Sequence, residues 1–442
     1  MGAPDPSILS IAFTDRRLCT RCGTCVGVCP ADALAVDPET FFPVLDESRC
    51  TRCGLCSRTC PGGRLSYADL TALTFGHREP APDFDGHVQA SGVGHAGDES
   101  LRVGGAGGGV ITALLADQLR RGAVDGCVVT RMIPDRPWHA EAFIARTREE
   151  LAFSQQSRYI VIPLNAALRE VRDRPGRYAL AGLPCHIHGL RLAAQRLPWV
   201  RERIRLIVGL FCASALEPYV VRELLAARGL DPKDVRDVRF RDGDWPGAIR
   251  AVMRDGARVP LHQSNFKDGA INYLTYLYIP PRCGTCIDGS AEFADVAVSD
   301  AWTRDARGQY LFKAHSRLLV RTPAGAAAVA AARESGALVW KDVTGDPAYR
   351  THRHHTRKKR QAANLRTARR IARGGVAPRY DRPPPPATFR ERMLERLETA
   401  LMALGRVGLL RRPLLRFLTS RWGLPLVAFR QRLKRRRYQG RA

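Results

Sequence analysis

"CTRCGTCVGVCP" at residues 19–30 is followed by a second copy, "CTRCGLCSRTCP", at residues 50–61. Both read C-x2-C-x2-C-x3-C-P. Three cysteines within seven residues can wrap one face of a 4Fe-4S cube, while the proline-marked fourth reaches a neighbouring cube. That spacing assigns Cys19, Cys22, Cys25 and Cys60 to one cluster and Cys50, Cys53, Cys56 and Cys29 to a second. Zinc also uses C-x2-C pairs, but it takes four ligands from two pairs and fits a three-plus-one repeat poorly. Each proline is expected to end its loop and start a short helix. Between the copies, "AVDPETFFPVLDESRC" (35–50) reads as a hairpin. Residues 1–68 are therefore expected to form a two-cluster module of the bacterial ferredoxin type.

A chain of 442 residues exceeds one usual core, so several domains are expected. No stretch of about 18 residues is free of charge, so no spanning helix is expected. The opening "MGAPDPSILSIAF" lacks the charged start and apolar core of a secretory signal. The expectation is a cytoplasmic protein. In a reducing compartment its thirteen cysteines point to metal or catalytic chemistry rather than disulfides.

The net charge of +27 suggests nucleic acid until it is located. Residues 351–442 hold 26 Lys/Arg against 4 Asp/Glu, giving +22, while residues 1–350 hold 44 against 39, giving +5. The basicity belongs to a tail, so it has to be explained apart from the rest. With few aromatic residues and no recognisable binding motif, nucleic acid is disfavoured as a partner.

After the module, "GHREPAPDFDGHVQASGVGHAGDES" (76–100) has no periodicity, and residues 69–100 read as an exposed linker. An α/β body is then expected, with an N-terminal part at 101–177 and a C-terminal part at 178–345. "VGGAGGGVITALLADQLRRGAVDGCVVT" (103–130) runs from a glycine loop into a helix and then a β-branched strand. Such a loop either lets a phosphate or ring approach the backbone or simply allows tight packing. Cys127, inside the apolar strand pattern, reads as a buried structural thiol. Cys185, Cys212, Cys283 and Cys286 sit instead in turn-like settings. Cysteines at the ends of neighbouring strands can converge at one sheet edge, where open α/β folds place their ligands.

The stretches "GGGVITALLADQLRRGAVDG" (107–126), "SRYIV" (157–161), "YALAGLPCHIHGLR" (178–191), "IRLIVGLFC" (204–212), "VRFRDGDWPG" (238–247) and "CGTCIDGSAEFADVAVSDAW" (283–302) occur in that order. In them the chain resembles the family of β subunits of coenzyme F420 hydrogenases and dehydrogenases, which includes ferredoxin-dependent chlorophyll-pathway reductases. The resemblance implies FAD and a third 4Fe-4S cluster, the latter on Cys185, Cys212, Cys283 and Cys286. It also implies flavin contacts from Gly107, Gly108, Gly109 and Thr112, with Ser157, Arg158 and Tyr159 lining the same pocket. His186 stands where the family usually has Gln, and Ser299 where it usually has Gly. His186 and His188 read as helix-packing residues unless a flavin lies beside them. No residue is assigned a catalytic role.

The implied activity is that of an iron-sulfur flavoprotein oxidoreductase. It would exchange electrons with a soluble carrier such as ferredoxin, or with a partner subunit, and a hydride with coenzyme F420 or an organic substrate. The competing reading is an electron-transfer subunit of a larger complex with no substrate site of its own.

Residues 346–442 form the basic, partly helical tail. Phe389, Met393, Leu397, Ala400 and Leu404 recur at helical spacing among arginines, and the chain closes on "RQRLKRRRYQGRA" (430–442). Such a segment lies on an anionic membrane surface at the inner face of the membrane, docks on an acidic protein, or is a solvated extension packed lightly on its own body. "HRHH" (352–355) lacks the company a zinc site needs. The expected fold is thus a multidomain α+β and α/β chain: ferredoxin-like module, flavin and iron-sulfur body, basic helical tail.

Overall fold

The computed structural model describes residues 15–429, except 135, 263–264, 306, 308, 347–352 and 424. The opening segment, the basic run at 430–442 and part of "HRHH" lie outside the described residues.

In each cysteine repeat a short helix, Thr24–Gly27 or Leu55–Arg58, follows a glycine in the left-handed region, Gly23 at φ 82° and Gly54 at φ 69°. A residue without a Cβ takes that turn at no steric cost. Both helices precede the Cys-Pro pair instead of following it, which corrects the sequence expectation. Proline has no amide hydrogen to continue the helix, so it marks the stop. Strands β1 (Leu34–Val36) and β2 (Pro43–Leu45) pair antiparallel as the expected hairpin, and β3 (Arg64–Leu65) follows.

The segment read as a linker is structured. Ser66 caps a helix, Tyr67–Phe75, by accepting from the Asp69 amide, and Ala90–Ala96 is strand β4 within the main sheet. Its glycines hid it. A Cβ on Gly92 would lie 2.3 Å from the Trp340 ring, and one on Gly94 would lie 2.2 Å from the Val339 carbonyl oxygen, so the strand is bare where its neighbour crowds it.

The body adds β5 (Gly126–Ile133), β6 (Arg136–Ala145), β7 (Tyr178–Gly182) and β8 (Ile204–Leu210). After a small antiparallel sheet of β9 (Val235–Asp242), β10 (Ala248–Met253) and β11 (Arg258–Pro260) come β12 (Val296–Asp300), β13 (Ser316–Val320) and β14 (Leu338–Asp342). The large sheet has the order β14-β4-β13-β12-β8-β7-β5-β6. Its centre, β5, β7, β8 and β12, is parallel, so the carboxyl ends of these strands share one edge.

The cysteine module shares a core with the body. Val28 and Leu70 bury with Leu168, Ile187 and Phe293 of the body and with Ala363 of the tail. A Cβ on Gly27 would lie 2.0 Å from the Asn165 carbonyl oxygen, so the backbones touch. Arg172 donates to the Cys29 carbonyl at 2.7 Å, and Arg169 to that of Leu34 at 2.7 Å.

The tail is not a lightly packed solvated extension. Strand β15 (Arg379–Tyr380) pairs in parallel with β3, and the Asp381 carboxylate accepts from Ser66 Oγ (2.7 Å) and the Tyr67 amide (2.7 Å). The helix Arg353–Ala372 turns Arg360 onto buried Glu292, which also receives Arg382 at 2.5 Å. Both of these inward cations find a carboxylate, which offsets the cost of burying them. In the helix Phe389–Gly405 the orientation is inverted: Glu395, Met402 and Gly405 face inward, while Phe389, Met393, Leu397 and Leu404 are exposed. Glu395 receives Arg366 at 3.1 Å, together with Arg369 and Thr399. Among the described residues no helix is long and apolar enough to cross a membrane.

Glu395→Ala is expected to cost about 3 kcal/mol by taking the carboxylate from Arg369 and leaving Arg366 with Glu398 alone, whereas the outward Met393→Ala should cost less than about 0.5 kcal/mol. Thermal unfolding of the two variants checks the inverted orientation.

Candidate iron-sulfur and flavin site

The two cysteine repeats fold alike. Arg21 and Arg52 occupy the left-handed region at φ 55° and 54°, like the glycines two residues on. This bends each loop around a centre. Cys19, Cys22, Cys25 and Cys60 line one cavity, closed on its other sides by Phe41 and Pro61, and the Arg21 amide points at Cys19 Sγ from 3.4 Å. Burial pushes the Cys19 thiol up to about 12 and that of Cys25 well above its usual value. Such thiols lose their protons only to a strong cationic partner, which the irons of a cube provide, so the lining fits that group. Cys29, also buried, packs with Cys50 and Cys56, while Cys53 is exposed. The second quartet therefore stands at the surface and the first lies inside. Among the described residues, no three His, Cys, Asp or Glu side chains lie close enough to hold a single metal ion.

The remaining four expected ligands also meet. Cys185 enters the helix Pro184–Ala194 directly after β7, and Cys212 lies just beyond the end of β8. Cys283 and Cys286 flank a single 3-10 turn, and from there the chain passes Cys212, whose amide donates to the Gly289 carbonyl at 3.0 Å. Burial raises the thiols of Cys185, Cys212 and Cys283, that of Cys212 to about 12, and each is raised further by neighbours within the quartet. Cys185 also feels Cys22. Asn165 spans that gap, donating to Thr24 Oγ1 at 2.8 Å and to the His186 carbonyl at 2.8 Å. On the other side Arg282, beside Cys283, donates to the Pro61 and Gly62 carbonyls at 3.2 and 3.0 Å. The first and third quartets are thus held together by two buried polar bridges. Cys127 is a fully buried thiol in β5, away from all three.

Sequence reasoning missed the charges around this third quartet. Lys359, from the tail helix, donates to the carbonyl oxygens of Cys212 and Asp288, both at 2.6 Å. Burial opposes its charge, but Cys286, Cys212 and Asp288 more than compensate and hold it protonated. Arg366 donates to the Gly284 carbonyl at 3.2 Å. The tail's composition announced cations without saying that two of them face this loop. His188 Nε2 donates to Asp288 at 3.0 Å, which orients the turn after Cys286. His186 is a structural cap: its Nδ1 accepts from the Leu183 amide and its Nε2 donates to the Ile162 carbonyl. Burial pushes it down to about 4, so it stays neutral, as its helix-packing reading expected.

The expected flavin residues converge more loosely. Gly108, at φ 87°, and Gly109, at φ 71°, bring their backbones against Ala314 and Leu101 so closely that a Cβ would clash with the carbonyl oxygens at 2.7 and 2.1 Å. Packing alone therefore requires these two glycines. Gly107 abuts Asp300 at the end of β12, and Thr112 is buried in the first turn of the helix Val110–Arg120. The segment 155–156 packs onto the same loop, with Gln156 Nε2 donating to the Gly104 carbonyl at 2.9 Å. Arg158 spends its guanidinium on four backbone carbonyls, those of residues 153–156, so it shapes this turn. Tyr159 interacts with Ser157 and with Arg241, which grips Asp300 through two bonds of 2.7 and 3.0 Å. Trp245 also donates to Asp300, and its ring stacks on Trp302 at 4.8 Å. Two buried polar atoms near this loop, Gln156 Oε1 and Ser299 Oγ, have no protein partner. An aromatic edge built around one ion pair, with unpaired polar atoms beside it, fits a flat heteroaromatic group.

Were a 4Fe-4S cluster held by the third quartet, Lys359→Met should lower its midpoint potential by on the order of 40 mV, the one-electron equivalent of about 1 kcal/mol of lost charge stabilisation. A spectroscopic redox titration at unchanged iron content measures it.

Comparisons with known proteins agree with this layout. The N-terminal model of the coenzyme F420 hydrogenase/dehydrogenase β subunit matches residues 92–169 and its C-terminal model residues 176–346, together more than half of the chain. A 4Fe-4S dicluster domain matches residues 12–65. The coenzyme F420-dependent sulfite reductase of Methanocaldococcus jannaschii is 26% identical over 71% of this chain, but the match spans only 46% of that relative's length. A subunit of the F(420)H(2) dehydrogenase of Methanosarcina mazei is 26% identical over 68% of this chain and 80% of its own. A chain of the F420-reducing NiFe hydrogenase complex of Methanosarcina barkeri shares the fold, with a TM-score of 0.54 and 20% identity over 68% of this chain and 98% of that one. With both family models falling in order on the body that carries the third quartet, the chain belongs to the family of coenzyme F420 hydrogenase/dehydrogenase β subunits.

Proposed function

We propose that the protein is a cytoplasmic iron-sulfur flavoprotein oxidoreductase that takes electrons from, or gives them to, an acidic carrier protein such as ferredoxin, and exchanges a hydride with coenzyme F420 or an organic substrate. When bound, 4Fe-4S clusters carry one electron each and FAD couples a hydride to two single electrons. Cys19, Cys22, Cys25 and Cys60 would hold the inner cluster of the module, Cys29, Cys50, Cys53 and Cys56 the outer one, and Cys185, Cys212, Cys283 and Cys286 the cluster of the body. Gly107 to Gly109, Thr112 and Tyr159 would border the flavin, with the Arg241–Asp300 pair fixing the polar side of the pocket. One observation carries this reading: the third quartet lies against Cys22 on one side and on the same sheet edge as Asp300 on the other. Relatives named for coenzyme F420 chemistry support the substrate class. Since one relative is named as a subunit, the second reading is an electron-transfer subunit whose flavin is reduced only with its partner present.

Protein purified without oxygen should carry about 12 Fe and 12 sulfide per chain, with one FAD. Cys283→Ser should lower the iron to about 8, leaving the module's spectrum intact. Iron unchanged by that substitution would remove the body cluster, and absence of flavin would remove the hydride step.

Arg49, Arg52 and Arg58 are exposed around Cys53. Arg52→Glu with Arg58→Glu should slow electron exchange with an acidic carrier by about tenfold at low salt, the difference shrinking as salt rises. Stopped-flow reduction at two ionic strengths reads this.

A further inference from the structure

The helix Phe389–Gly405 turns charged side chains, its glutamates, inward and leaves an apolar stripe outside. Its inner face is tied down by Glu391, held by the Thr388 cap, by Glu395, and by Glu398, which receives Lys358 at 2.8 Å and Arg366 at 3.1 Å. The outward stripe is Phe389, Met393, Leu397 and Leu404, with Phe389 79% exposed. The next helix, Gly408–Thr419, does the same. Arg411 points inward to bind Glu223 at 2.6 Å, while Leu409, at 88% exposure, Leu410 and Phe417 point outward. Beyond it Trp422, Leu426 and Phe429 are also exposed. Every exposed charged residue described between 389 and 429 is an arginine, and no acidic residue follows Glu398 in the chain.

We infer that this outer face of residues 389–429 docks on an anionic lipid surface, seating its apolar side chains at the headgroup level with arginines around them. The charge pattern selects the occupant. A second copy of the chain would press arginine against arginine, and a zwitterionic surface would leave the cationic ring without counter-charge. An anionic bilayer answers both halves of the pattern, apolar burial and a ring of cations near the surface. Ordinary packing cannot explain the stripe, because the carboxylates that would have solubilised it are turned inward to neutralise the arginines of the helix Arg353–Ala372. The inference does not depend on the redox reading. It would hold for a chain that transferred no electrons.

The test uses the whole protein with its clusters in place, sedimented with vesicles of phosphatidylcholine alone or mixed with phosphatidylglycerol. Binding is expected only to the mixed vesicles, weakening with salt, and falling about tenfold or more in a Leu397→Glu, Leu409→Glu, Trp422→Glu variant. That variant changes exposed positions only, and circular dichroism and iron content verify that it is folded. Failure of the wild type to bind mixed vesicles at low salt would overturn the inference. So would equal binding by the variant. A wild-type dimer that becomes a monomer in the variant would assign the face to a second copy instead.

Discussion

A thiolate inside a protein needs positive charge close by, and that requirement organises this molecule. Cys19 and Cys25 of the first quartet and Cys185, Cys212 and Cys283 of the third are buried deeply enough that, left as thiols, they would hold their protons. Iron held by these cysteines would answer part of the demand. The protein answers the rest with Arg282 between the first and third quartets, Lys359 over Cys212 and Arg366 over Gly284, each donating to backbone carbonyls. The electrostatic logic also explains the acidic residues around them: Asp288 stabilises the charge of Lys359, and Glu292 balances Arg360 and Arg382.

This view changes the meaning of the tail. By composition it is a basic appendage. In the fold it is a wall of the site, donating from its first helix into the loop between Cys283 and Asp288 and sealing the module's rear with a strand. The second tail helix spends its acidic residues on that wall, the third turns Arg411 onto Glu223 of the body, and apolar residues of both remain on the outside. One local need, neutralising buried arginine, thus determines what the surface looks like some distance from any cysteine.

Much of the site could be read in the sequence because cysteine spacing is covalent information: ligands two or three residues apart share a centre whatever surrounds them. The hairpin, the glycine-to-helix turn at 109 and the buried Cys127 were readable for similarly local reasons. The meeting of Cys185 and Cys212 with Cys283 and Cys286 came from the family resemblance, since nothing local joins residues a hundred positions apart. Three features escaped. Strand β4 was hidden by glycines that make room for Trp340. The role of Lys359 was hidden because one lysine in a basic run looks like its neighbours. The Arg241–Asp300 pair was hidden because two oppositely charged residues far apart in the chain carry no signature until a sheet edge brings them together.

The parallel pairing of Arg379 with Arg64, and the carboxylate of Asp381 on Ser66, join positions 315 residues apart. At roughly 5–20 residues per second, a ribosome takes between about 16 and 63 s to make what lies between them. Throughout that interval the rear of the nascent module is uncovered, while the loop around Cys283, made later, waits only for the segment that carries Lys359 and Arg366. The long-range closure that completes the fold therefore leaves the module's cysteines open from the rear until the closing segment of the chain arrives.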